Sequence, residues 1–260
     1  MLIGWNIFPW AAALTTLLAV AGAAVALRAR TFSRVAMSLA VAAIVVLGTF
    51  IVALGITLDR PPMRTMGETR LWYSFFMLVA GAITYGRWNY RWILSFSTLM
   101  SVVFMTINVL RPEIHDQTLM PALQSVWFIP HVAVYMFSYA LLGCATLLAI
   151  YSFFSRNDVY QAIDRLVYAG IAFFTIGMLS GALWAKEAWG EYWSWDAKES
   201  WAAATWMLYM LYTHLRTMGR HNKVWLGVLL VVSFLALQMC WYGINYLPTA
   251  ADSIHVYNKL

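Results

Sequence analysis

The chain has 260 residues, of which 62% are hydrophobic and only 11% charged, whereas an ordinary soluble domain carries about 25% charged residues. The formal net charge is +6, but the basic residues fall in short stretches between apolar runs, not along one groove, which excludes a nucleic-acid surface. The composition is that of an integral membrane protein.

Uncharged apolar runs recur at 7–27, 35–58, 71–86, 92–110, 131–154, 166–185, 201–215 and 224–243, each near the ~20 residues that cross hydrocarbon as a helix. The pattern predicts an all-α, polytopic membrane protein of eight transmembrane helices. These form a single membrane domain over 1–260, with a four-helix N-terminal half at 1–120 and a second half at 121–260. The first run has no Lys or Arg before it, and Arg28, Arg30 and Arg34 follow it. It therefore reads as a retained helix with an outside N-terminus, not a secretory signal. The runs at 71–86 and 201–215 are short and lean on snorkelling flanks such as Trp88 and Arg216.

An even number of helices puts both termini on one side. One set of connections holds ten cations, Arg28, Arg30, Arg34, Arg87, Arg91, Arg156, Arg165, Arg216, Arg220 and Lys223, against two acids, Asp158 and Asp164. The positive-inside rule makes that side cytoplasmic. The opposite side carries nine of the eleven acids with Arg60, Arg64, Arg70, Arg111, Lys186, Lys198 and Lys259, and faces outward with both termini. Cys144 and Cys240 fall inside apolar runs with no C-x-x-C spacing, so packing is their expected role. No internal repeat or linker interrupts the chain.

The segment W-A-K-E-A-W-G-E-Y-W-S-W-D-A-K-E-S-W at 184–201 places five tryptophans in eighteen residues between two spans. An interfacial aromatic belt uses one or two rings per helix end. Here the rings form a platform suited to a large, flat, apolar ligand, and a porphyrin fits that description. A porphyrin's iron needs axial ligands, for which neutral imidazole is suited. His131, just after Pro130, and His255, after the last span, both lie on the outward side at the level of the tryptophan segment. His214 lies near the inner end of the seventh span, where an embedded ionisable group is a functional candidate. His115 and His221 sit in polar connections and read as solvated. G-M-L-S-G at 177–181 is a helix-packing pattern. Lys186, Lys198, Arg60, Arg64 and Arg70 are cations able to meet porphyrin propionates.

The tryptophan segment resembles the WWD signature of haem-handling proteins in cytochrome c biogenesis. M-P-A-L-Q-S-V-W-F-I-P-H-V at 120–132 and L-Y-T-H-L-R at 211–216 bring the likeness closest to the CcsA (or ResC) branch. The resemblance covers roughly 120–260, with a weaker likeness at R-T-M-G-E-T-R-L-W. It departs at Ala197, where proline is common, and before His255, where a glycine-rich turn is expected. It implies that His131 and His255 are axial ligands to one haem iron. It also implies that the signature, with Trp184, Trp189, Trp193, Trp195, Asp196 and Trp201, holds the porphyrin. His214 then belongs to an inner haem site completed by a partner.

The implied substrate is haem b, presented across the cytoplasmic (inner) membrane to an apocytochrome c. The implied setting is a cytochrome c synthase, or haem lyase, complex with a CcsB/ResB-like membrane protein. A CcmC-like haem chaperone shares the signature but uses fewer helices and lacks the inner histidine. A b-type cytochrome electron-transfer subunit needs histidines paired within the membrane, and His214 has no such companion in the sequence.

Overall fold

The computed structural model describes residues 4–112, 125–155, 158–219, 222–241 and 243. Among these there are eight α-helices and no strands: α1 Phe8–Arg28, α2 Arg34–Leu58, α3 Met66–Trp88, α4 Arg91–Leu110, α5 Phe128–Phe154, α6 Tyr160–Trp189, α7 Ala197–Thr217 and α8 Lys223–Trp241. Six of them, α1, α2, α4, α5, α6 and α8, are long and apolar enough to cross a membrane. The remaining two, α3 and α7, have 23 and 21 residues and the same reach, but include charged residues at both ends. The protein is an all-helical, polytopic membrane protein.

The helices sort into two compact units, Met1–Gln124 and Ser125–Leu260. In the first, α1 packs on α2, α2 on α3, α3 on α4 and α4 back on α1, closing a four-helix ring. Its core is Phe8, Ala12, Ala19, Ala43, Leu47, Phe50, Ile51, Leu54, Leu71, Leu78 and Met105. Small residues bring α1 against α2: a Cβ on Gly22 would stand 3.1 Å from the carbonyl oxygen of Ala36. Asn108 Nδ2 donates to the Gly67 carbonyl at 2.9 Å, tying α4 to the start of α3.

The second unit repeats this connectivity, with α5 on α6, α6 on α7, α7 on α8 and α8 on α5. Here α5 is the central helix, since 67% of its apolar window is buried against 33–39% for the other five candidate spans. It therefore offers little side chain to lipid. Whatever it carries at its ends is held by neighbours on several sides.

Four helices run further than the apolar runs suggested. Expected at 71–86, 131–154, 166–185 and 201–215, they extend over Met66–Trp88, Phe128–Phe154, Tyr160–Trp189 and Ala197–Thr217. Polarity ends the hydrocarbon-facing stretch, but not the helix: Lys, Glu and Ala are good helix formers. The tryptophan loop consequently shrinks from 184–201 to Gly190–Asp196, with Trp184 and Trp189 on α6 and Trp201 on α7.

Candidate functional site

The site is built at the end of the second unit where α5 begins, α6 ends and α7 begins. Gly190 ends α6 in the left-handed region at φ 89°, where glycine escapes the Cβ penalty. The Lys186 ammonium donates to the Gly190 carbonyl at 2.7 Å and lies 5.3 Å from the centre of the Tyr192 ring. This cation is spent on holding the end of α6. Asp196 then opens α7 with a capping box: its carboxylate accepts from Glu199 N at 2.9 Å. Glu199 reaches back to accept from Asp196 N at 3.3 Å, Ser194 N at 2.7 Å and Ser194 Oγ at 3.2 Å. One buried carboxylate thus gathers the donors of the loop around the start of a helix, where negative charge is favoured.

The tryptophans fall into two groups. Trp184 is buried, packs on Phe128 with centroids 5.1 Å apart, meets Trp189 edge-on at 4.8 Å, and stacks on His131 at 5.4 Å. Trp193 and Trp195 pair edge-on at 5.6 Å within the loop. The Trp193 indole N–H is buried and has no acceptor among the described residues. Trp195 is 66% exposed and holds φ 59°, an uncommon conformation for so bulky a residue. Trp201 is half-buried in the first turn or so of α7.

His131 lies one turn into α5. Its Nδ1 stands 2.8 Å from the carbonyl oxygen of Gly177 on α6, and its ring meets Tyr135 edge-on at 4.7 Å. Tyr135 and Tyr139 follow at helical spacing on the same face, with Tyr139 stacked on Trp241 of α8 at 5.4 Å. His131, Trp184 and Trp189 are therefore brought together. His255 lies outside the described residues, as do His115 and His221.

At the other end of the unit, Asp164 of α6 accepts from Tyr212 Oη at 2.7 Å and Arg216 Nε at 2.8 Å. Tyr212 and Arg216 are four residues apart and share one face of α7. His214, two residues beyond Tyr212, points roughly 200° away from it and is exposed. Its neighbours on that side, Met207, Met210, Leu211 and Met218, are exposed as well. Of the L-Y-T-H-L-R segment, Tyr212 and Arg216 hold the helix in place and His214 is presented outward. The sequence motif alone did not separate these roles, because Asp164, the residue that does, is distant in the chain.

Over residues 5–251 the chain matches the family of cytochrome C assembly proteins. It belongs to that family. The cytochrome c biogenesis protein CcsA of Nandina domestica is 30% identical to it, over 74% of this chain and 77% of the relative. That of Guizotia abyssinica is 34% identical over 60% and 65%, and that of Oenothera biennis 28% identical over 82% and 86%. The stretch matched to the cytochrome c assembly family includes His131, the whole tryptophan segment and His214.

Proposed function

We propose that this cytochrome c assembly protein carries haem b as its substrate and presents it beside the tryptophan loop to an apocytochrome c. The observation that carries the reading is His131 stacked on Trp184, at a connection where four further tryptophans gather, in a chain of this family. The donor set suits haem: an imidazole for the iron, indole faces for the porphyrin, and the Trp193 N–H able to donate to a propionate oxygen. Asp196 acts through the shape of the loop, since its carboxylate caps α7. Trp201 and Trp189 flank the rings at the two helix ends. His255 supplies the second axial imidazole.

The protein sits in the cytoplasmic membrane with the tryptophan loop and both termini outside. It works with a CcsB/ResB-like membrane partner as part of a cytochrome c synthase. In that reaction each cysteine S–H of a C-x-x-C-H segment in the apocytochrome adds across a haem vinyl, sulfur to one carbon and hydrogen to the other, with no net change in oxidation. His214 is exposed on an apolar helix face, where an ionisable group is costly without a companion. It forms an inner haem site together with a histidine of the partner.

The test is purification with and without the coexpressed partner, followed by a haem absorption spectrum and a thioether assay. His131→Ala and His255→Ala are each expected to lose bound haem and to recover it when imidazole is added. His115→Ala and His221→Ala serve as controls. Wild-type spectra and maturation in both ligand variants would overturn the reading.

A further inference from the structure

We infer that Gly177 and Gly181 of α6 are positioning residues for His131, and that they present its Nε2, not Nδ1, at the site. The inference rests on the reading of His131 as a haem ligand. A carbonyl oxygen can only accept, so Nδ1, 2.8 Å from the Gly177 carbonyl, must carry the proton. The neutral ring then has its lone pair on Nε2, and the bond fixes both the tautomer and the ring's rotation.

Gly181 supplies the space. A Cβ at this position would stand 2.6 Å from both Cε1 and Nδ1 of His131. The ring can bring its Nδ1–Cε1 edge against α6, and reach the carbonyl one turn away, only because residue 181 has no side chain. Trp184, three residues further along α6, stacks on the ring at 5.4 Å. The imidazole thus meets both the backbone and an indole of α6.

The same helix pair provides an internal comparison. Seven residues along α5, Ser138 Oγ donates to the carbonyl of Gly170 at 2.8 Å, and a Cβ on Gly170 would meet Leu142 Cδ2 at 2.6 Å. The crowding matches that at Gly181, with a nearest contact of 2.6 Å in both cases, but the displaced group is an aliphatic tip. Gly170→Ala therefore reproduces the packing penalty of Gly181→Ala without moving the histidine.

Two measurements on the full chain in lipid nanodiscs decide the matter. Nitrogen-15 NMR of haem-free protein labelled at histidine should show His131 neutral and protonated at Nδ1; protonation at Nε2 would overturn the inference. Gly181→Ala should retain about 10–100-fold less haem per folded molecule, the range seen when a ligand's orienting partner is lost, with added imidazole restoring the spectrum. Gly170→Ala should lower protein yield while leaving haem per folded molecule unchanged. Equal haem content in the two variants would refute the positioning role. If His131→Ala itself retains haem, the ligand reading fails, whereas the NMR result still judges the tautomer by itself.

Discussion

The two four-helix units connect their second and third helices by the same local device, a capping box with a buried glutamate at its third position, yet they complete it differently. In the first unit Glu68 is 1% exposed and meets the Arg60 guanidinium through two bonds, at 2.8 and 2.9 Å. It also accepts from Arg64 N at 2.6 Å. Burial and the neighbouring Arg60 charge push the Arg64 guanidinium below its ordinary range, while Glu68 opposes the shift. In the second unit the bonds to Glu199 come from N–H and O–H groups of its own loop. The left-handed positions differ too. The first unit gives them to Asp59 and Asn89, which tolerate that region, and the second gives one to Trp195. One connection is built to hold helices together, while the other accepts strain and keeps the Trp195 ring exposed.

The largest way to sharpen this contrast is Glu68→Ala. Removing one partner of a buried ion pair leaves Arg60 and two backbone N–H groups uncompensated, a loss of about 3–5 kcal/mol. Thermal unfolding in detergent should show it as a large drop, with haem per surviving folded molecule unchanged. A melting temperature within a degree or two of wild type would mean that the ion pair does not hold the corner.

Glu199→Ala should cost less in stability, about 1–3 kcal/mol for the donors it leaves unmet. Its effect on haem should be greater, because Ser194 and Asp196 lose their common acceptor and the Trp193–Trp195 pair loses its frame. Haem stoichiometry on purified, folded protein separates the two effects. If Glu199→Ala behaves as Glu68→Ala does, lowering yield without lowering haem per molecule, the two connections are equivalent and the contrast collapses.

Much of this was legible in the chain. The spacing of apolar runs placed all eight helices, because a bilayer demands about 20 apolar residues per crossing, and the tryptophan segment marked the candidate site. Helix ends were misplaced where Lys, Glu and Ala continue a helix into water, as at Lys186–Trp189 and Ala197–Ser200. G-M-L-S-G was legible as packing but not as a seat for His131, since what meets a missing Cβ is decided by a residue some fifty positions away. For the same reason, nothing local to L-Y-T-H-L-R showed that Tyr212 and Arg216 turn to Asp164 while His214 turns outward.

The caps give a smaller effect. Thr65→Ala and Asp196→Ala each remove a helix N-cap, worth about 1 kcal/mol, and should lower stability by similar amounts when each is measured by thermal melting. Asp196→Asn keeps an oxygen able to accept from Glu199 N and should retain both stability and haem. Loss of haem in Asp196→Asn at normal stability would show that the charge itself, and not the cap, serves the site.

The smallest expected change in stability is the most informative. Trp195 holds φ 59°, and the left-handed region costs a residue with a Cβ roughly 1–2 kcal/mol. Trp195→Gly would relieve that cost. Against the gain stand the greater chain entropy of glycine, about 0.5–1 kcal/mol, and the lost edge-on contact with Trp193, about 0.5–1.5 kcal/mol. With 66% of the residue exposed, little burial is forfeited, so the terms nearly cancel and the melting temperature should move by only a degree or two. Haem retention should nevertheless fall, and Trp195→Phe, which keeps both a ring and the strained backbone, should recover much of it. A residue that costs about as much as it contributes to folding leaves its ring to the proposed haem site. Unfolding of the loop in Trp195→Gly, or full haem retention by it, would instead make the ring a structural anchor and remove the sharpest difference between the two connections.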